Sequence, residues 1–111
     1  MSDGTEELLK RVVDIIVDAV SPEQIILFGS RARGDAGEHS DLDLLVVESR
    51  PFDKNRSRRR ELALLWRLLA HVPVPKDILL YSRDEVEFWK GSLNNVVGRA
   101  LREGRVLYER S

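Results

Sequence analysis

Hydrophobic residues recur along the chain with two different spacings, one typical of helices and one of strands. Between residues 6 and 20 the apolar positions repeat every three to four residues, which predicts an amphipathic helix that Ser21-Pro22 ends, because proline cannot continue the hydrogen-bond ladder. Short apolar runs rich in β-branched residues and bounded by polar residues, glycine or proline predict buried strands at 24–28, 42–47, 76–81 and 105–109.

Further helices are predicted between and after these strands. One runs over 53–71, with Asp53 as its cap. Ser82 and Glu85 have the spacing of a capping box that opens another helix, and a second helical segment follows at 93–103. The resulting order, helix-strand-loop-strand-helix-strand-helix-helix-strand, predicts an α/β (α+β) fold in which a small mixed sheet is flanked by helices.

Length and composition limit the organisation of the chain. With 111 residues, 42% of them hydrophobic, we expect one domain over 1–111, since a second core would need more residues. A net charge of −1 gives no overall attraction to nucleic acid or to an anionic membrane, so neither is expected as a partner. The absence of cysteine excludes disulfides, thiolate zinc sites and a cysteine nucleophile.

The sequence also indicates where in the cell the protein is expected. No apolar run approaches the ~20 residues that a membrane-spanning helix needs. Residues 1–7 are acidic and lack the basic start of a signal peptide, so we expect a cytoplasmic protein.

A glycine-serine pair follows the first predicted strand. Gly29 allows close approach of the backbone to a ligand, and exposed N–H groups together with the Ser30 hydroxyl suit phosphate oxygens. Arg31 and Arg33 follow at once and add donors that would neutralise phosphate charge. The segment predicts a phosphate-binding loop, although a glycine-serine pair alone is also compatible with an ordinary turn.

Two carboxylates mark the start of the second strand. Asp41 and Asp43 are two positions apart, so they point to one face of the strand while Leu42 and Leu44 point to the core. Adjacent carboxylates repel unless a cation lies between them, and hard oxygen ligands suit Mg²⁺. The pair predicts a metal site, with a solvated strand end in which Asp41 caps a turn as the alternative.

Asp77 opens the next predicted strand in the same way as Asp43 opens its own, as a carboxylate at the head of an apolar run. If these two strands are neighbours, Asp77 completes a cluster of three carboxylates. By itself it is equally compatible with a surface charge at a strand end.

Together these features resemble the DNA polymerase beta-like nucleotidyltransferase superfamily. Its pattern is a Gly-Ser pair at a strand end followed, after about ten residues, by Asp-hydrophobic-Asp on the next strand; here this is Gly29-Ser30, ten residues, and Asp41-Leu42-Asp43. The string around it, and the closing segment 99–108, resemble the minimal nucleotidyltransferase branch, so that the likeness extends over nearly the whole chain.

The resemblance implies a role for each matching residue. Gly29 and Ser30 would hold the triphosphate, and Asp41 and Asp43 would bind two Mg²⁺ ions. Asp77 matches the third carboxylate, which shares a metal and helps to deprotonate the acceptor hydroxyl. The implied reaction is transfer of a nucleoside monophosphate, AMP from ATP, to a hydroxyl group.

The minimal branch also implies a partner. Its members act as antitoxins of HEPN-type helical ribonuclease toxins, which they modify with AMP, and the acceptor site could also form in a homo-oligomer. An antitoxin or nucleotide-binding module that acts by contact alone is the main alternative, and a small-molecule transferase of the aminoglycoside-modifying kind is a weaker one. The cations at Arg56, Arg58, Arg59 and Arg60 are interpreted as contacts for acidic partner groups or triphosphate, with a solvated helix face as the alternative. Trp66 and Trp89 are interpreted as packing residues, with partial exposure and contact with a partner as the alternative for Trp89, which lies near Gly91.

Overall fold

The computed structural model describes residues 4–29 and 41–110 of the chain. Its helices and strands follow the predicted order: α1 (Gly4–Val20), β1 (Gln24–Phe28), β2 (Leu42–Glu48), α2 (Arg58–Leu68), β3 (Lys76–Ser82), α3 (Arg83–Trp89), α4 (Val96–Glu103) and β4 (Arg105–Glu109). Within this part of the chain no helix is both long enough and apolar enough to cross a bilayer.

The strands form one mixed sheet in the order β3-β2-β1-β4. β1 pairs antiparallel with both β2 and β4, whereas β2 and β3 are parallel and are connected through α2. The prediction of a small mixed α/β sheet is therefore confirmed.

Alternation along the strands divides the core between the two faces of this sheet. One face packs against α1 and α2 through a cluster that includes Leu42, Leu44 and Ile78. The other face packs against α3 and α4 through a cluster that includes Leu45 and Phe28. Leu42 and Leu44 are fully buried, as their spacing predicted.

The start of α3 and the end of α4 agree with the sequence, whereas α2 starts later than predicted and α4 begins at Val96, three residues after the predicted start at 93. The capping box between Ser82 and Glu85 is present at the start of α3, and Gly104 caps the end of α4. α2 begins only at Arg58, because Ser57 is its N-cap; the Asp53 carboxylate instead accepts from the Asn55 backbone N–H in a tight turn. The prediction of a helix from residue 53 was wrong because two capping residues compete here, and the one nearer the apolar stripe forms the cap.

Both tryptophans are more exposed than packing residues. Trp66 on α2 is 38% exposed and Trp89 at the end of α3 is 39% exposed. Their neighbours Leu65 and Val86 take the buried positions of those two helices. The interpretation of Trp66 as a packing residue was wrong, whereas the partial exposure left open for Trp89 is observed; in each helix a smaller residue nearby faces the sheet.

Candidate active site

The starts of β2 and β3 bring two of the predicted carboxylates side by side. The two strands are parallel, and Asp43 is the register partner of Asp77. Neighbouring strands lie about 4.8 Å apart, and register partners project from the same face of a sheet. Asp43 is also paired with Phe28, the last residue of β1.

Both carboxylates belong to the face covered by α3 and α4. Asp43 alternates with the fully buried Leu42 and Leu44, which pack on the opposite face. Asp43 is half-buried, and Asp77, at the open end of its strand, is exposed. The pair is thus anchored by the core on one side and accessible from solvent on the other.

Gly29 forms the third side of this site. Its backbone has φ +78°, a conformation that side chains other than glycine's rarely adopt. A Cβ atom at this position would lie 3.2 Å from Cγ of Asp43 and closer still to its Oδ2. Glycine is therefore required at position 29 for two reasons: the turn after β1 has a positive φ, and the backbone packs directly against the Asp43 carboxylate.

Asp41 lies beside this pair, exposed and one residue before β2. A backbone hydrogen bond from Leu42 N–H to Pro75 O (2.9 Å) ties the start of β2 to the residue before β3. Among residues 4–29 and 41–110, no three carboxylate or imidazole groups come close enough to hold a metal ion by themselves. The site therefore consists of an adjacent pair, Asp43 and Asp77, with Asp41 at its margin.

This donor set fits Mg²⁺. Magnesium commonly takes one or two carboxylates from the protein and fills its remaining positions with water and phosphate oxygens. Two same-face carboxylates, one of them open to solvent, match that requirement. The predicted phosphate ligands Ser30, Arg31 and Arg33 lie outside the described residues.

Comparison with known proteins decides the family. Residues 6–106 match the nucleotidyltransferase domain family. The chain belongs to this family. It is also 35% identical, over 86 residues covering 78% of both chains, to a candidate protein adenylyltransferase of Methanocaldococcus jannaschii.

Solved structures share the nucleotidyltransferase fold. One is a toxin–antitoxin complex with AMP-PNP, 21% identical, with a TM-score of 0.62 over 93% of this chain and 74% of the other. Another contains a tri-AMPylated Shewanella oneidensis HEPN toxin in complex with an MNT antitoxin, 14% identical, with a TM-score of 0.59 over 95% and 72% of the two chains. The second neighbour is thus named for an MNT antitoxin, the branch that the sequence motif indicated, and at these identities the likeness concerns the fold.

The basic run of this nucleotidyltransferase lies away from the carboxylate pair. Arg56 forms ion pairs with Glu48 and Glu61, and its guanidinium stacks 4.6 Å from the centroid of Phe52. Arg58 pairs with Glu85. These two arginines, interpreted from the sequence as contacts for a ligand or partner, instead hold the loop after β2 against the fold, whereas Arg59 and Arg60 remain exposed.

Glu48, the last residue of β2, was not predicted from the sequence as a residue of interest. It is 2% exposed, and within the part of the chain that the structure describes its Oε2 has no hydrogen-bond partner. Burial raises the pKa of Glu48 to about 7; Glu61 adds to the shift and Arg56 opposes it. The alternation of β2 could have revealed it, because Glu48 shares the parity of Leu44 and Val46, which point to the core.

Proposed function

We propose that this nucleotidyltransferase transfers AMP from ATP to a hydroxyl group, a tyrosine hydroxyl in particular, on a HEPN-type helical partner protein. It would thereby act as the antitoxin of that partner. The observation that carries the proposal is the register pair of Asp43 and Asp77 against the backbone of Gly29. This arrangement suits a reaction in which phosphate groups and a cation are held at one strand end.

The relatives support the choice of nucleotide and acceptor. The M. jannaschii relative is named for protein adenylyl transfer, and one structural neighbour was solved with AMP-PNP. The Shewanella oneidensis neighbour contains a toxin that carries AMP groups. These properties belong to those proteins, and their agreement makes AMP and a protein hydroxyl the best candidates here.

In the proposed reaction the acceptor oxygen bonds to the α-phosphorus of ATP. The bond from that phosphorus to the oxygen bridging to the β-phosphate breaks, and pyrophosphate leaves. Bound Mg²⁺ would lower the pKa of the acceptor hydroxyl and neutralise charge on the leaving group. Asp41, Asp43 and Asp77 would hold the metal, and a carboxylate oxygen of Asp77 would also take the hydroxyl proton.

The remaining task of the protein is to position the reactants, which supplies much of the rate in phosphoryl chemistry. The backbone at Gly29 can approach a triphosphate closely because no side chain intervenes. Ser30, Arg31 and Arg33 remain our predicted triphosphate contacts, and a single domain over 1–111 remains our prediction for the organisation of the chain.

The proposal is tested by incubating the protein with ATP, Mg²⁺ and the purified partner, followed by intact-mass measurement of both proteins. The partner should gain the mass of one or more AMP groups with the parent protein and none with Asp43→Asn. Asp14→Asn is the matched control, because Asp14 is an exposed carboxylate on α1, on the other side of the sheet. It should act like the parent.

An unmodified partner would contradict the transferase proposal. If Asp43→Asn then neutralised the partner as well as the parent protein does, the chain would be an antitoxin that acts by contact alone.

A further inference from the structure

The segment between α2 and β3, residues 69–75, leads directly to the candidate active site; we call it the α2–β3 connector. Pro73 and Pro75 have no N–H group to donate. Val72 is buried, and Val74 N–H donates to the Val72 carbonyl oxygen (2.8 Å) in a tight turn. Because two of its last three residues cannot donate, the connector depends on other groups to hold its carbonyl oxygens.

Lys76, the first residue of β3, supplies donors for these oxygens. Its Nζ lies 3.2 Å from the carbonyl oxygen of Val72 and 3.1 Å from that of Val74. A lysine ammonium group is a charged donor, so both hydrogen bonds are charge-assisted. Across residues 4–29 and 41–110, Lys76 forms no ion pair with a carboxylate. Its hydrogen-bonding capacity is therefore used to close the connector.

The closed connector holds the start of β2 in place. Pro75, next to Lys76, accepts a hydrogen bond from Leu42 N–H (2.9 Å). Leu42 is also the register partner of Lys76. In the sequence Leu42 stands between Asp41 and Asp43, the two predicted metal ligands on this side of the site. A movement of the connector would therefore displace Leu42 and, with it, both neighbouring carboxylates.

Lys76 and Asp77 belong to opposite faces of the sheet, because successive residues of a strand alternate. Val72 and Val74, whose carbonyl groups Lys76 binds, belong to the core cluster on the face of α1 and α2. Asp77 shares the other face with Asp43. The ammonium group is therefore on the wrong face to neutralise the carboxylate pair, and it can affect the site only through the backbone.

We propose that Lys76 is a positioning residue of the active site: its hydrogen bonds to the connector fix Pro75 against Leu42 and so set the placement of the metal-binding carboxylates. The proposal rests on the proposed function, since it concerns how that site holds Mg²⁺. Groups that orient metal ligands without touching the metal typically change metal affinity by roughly 10–100-fold when they are removed. A residue that acts through the backbone belongs at the lower end of this range.

The first measurement needs no ligand. Lys76→Met keeps an extended apolar side chain but has no N–H donor, so the Leu42 amide should exchange its hydrogen about tenfold faster than in the parent protein. Glu23 N–H donates to the carbonyl oxygen of Val47 (2.7 Å) near the other end of β2, and its exchange rate should not change. Lys76→Arg restores a cationic donor and should bring the Leu42 rate back toward the parental value.

Calorimetry of Mg²⁺ binding in the presence of AMP-PNP measures the consequence for the site. We expect Lys76→Met to bind Mg²⁺ about tenfold more weakly, and excess Mg²⁺ to restore its AMP transfer to the partner. Arg56→Ala is the control for a general loss of stability, since Arg56 is paired with Glu48 at the other end of β2. At a temperature where all the proteins are folded, this control should bind Mg²⁺ like the parent.

A parental Leu42 exchange rate in Lys76→Met would overturn the proposal. Faster exchange with a parental Mg²⁺ affinity would also overturn it, because Lys76 would then stabilise the connector without positioning the carboxylates. So would an equal loss of Mg²⁺ affinity in Arg56→Ala. A parent protein that itself binds no Mg²⁺ with AMP-PNP would overturn the proposed function together with this proposal, and that outcome is distinguishable because the parent and all variants would then behave alike.

Discussion

The two ends of β2 carry carboxylates in opposite environments. At the start of the strand, Asp43 is half-buried and adjacent to the exposed Asp77, and the backbone of Gly29 packs against it. At the end of the strand Glu48 is almost fully buried and paired with Arg56. Glu48 follows Asp43 by five positions, about 16 Å along an extended strand.

The difference shows how carboxylates serve two purposes at opposite ends of one pair of strands, β2 and β3. Glu48 lies among core residues, where an ionised carboxylate must be compensated, and Arg56 and a raised pKa provide that compensation. Asp77, by contrast, has no ion pair with any cation in the part of the chain that the structure describes, and solvent can reach it. The first arrangement stabilises the loop after β2, and the second is open to a cation and its phosphate ligands.

The largest expected effect comes from removing the cation at the buried end. Arg56→Ala would leave Glu48 and Glu61 close together without compensation, so we expect a loss of about 2–4 kcal/mol in the free energy of unfolding. Denaturant unfolding measures it. Arg59→Ala, at an exposed position of the same basic run, should change stability by less than ~0.5 kcal/mol. Equal effects of the two variants would contradict a structural role for Arg56.

How much of this could be predicted from the sequence depends on the range of the interactions involved. Alternation and helical spacing predicted the strands and the mixed sheet, because these patterns are local. The adjacency of Asp43 and Asp77 followed from the expectation that their strands are neighbours, and the roles of the motif residues remain predictions. The Arg56 ion pairs could not be predicted in the same way, since Glu61 and Phe52 reach Arg56 only after the loop has folded over β2. The predicted start of α2 was wrong because the conformation of that loop determines whether Asp53 or Ser57 caps the helix.

A pH titration of stability tests the same end of the strand without removing a side chain. The pKa of Glu48 is raised from 4.5 to about 7 in the folded protein, so the folded state binds the proton more tightly than the unfolded state does. The resulting stabilisation is fully present below pH 4.5 and is lost as the pH rises through 7. We expect it to be on the order of 2 kcal/mol.

Glu48→Gln mimics the protonated side chain, so the stability of the variant should change less between pH 5 and pH 8 than that of the parent. Measured from its own value at pH 5, the variant should therefore lose less stability than the parent by pH 8. Thermal melts at intervals between pH 5 and pH 8 measure the difference. Parallel profiles for the parent and the variant would show that Glu48 is not the group that titrates.

A smaller effect is expected at the open end. Gly29→Ala places a Cβ against the Asp43 carboxylate in a left-handed conformation, and we expect it to cost about 1–2 kcal/mol of stability. It should also weaken binding of AMP-PNP and Mg²⁺, since Asp43 must move. Gly91→Ala is the control, because a Cβ at Gly91 meets no atom within 4 Å. A Gly29→Ala protein with parental stability and nucleotide affinity would contradict the described packing.

The central claim is that the start of β2 binds nucleotide and metal while its end does not. The most direct measurement is the shift of the thermal melting temperature when AMP-PNP and Mg²⁺ are added to the parent protein, Asp43→Asn and Glu48→Gln. Ligands that bind only the folded state raise this temperature. We expect a clear rise for the parent and for Glu48→Gln and none for Asp43→Asn. A full rise in Asp43→Asn, or its loss in Glu48→Gln alone, would contradict the account.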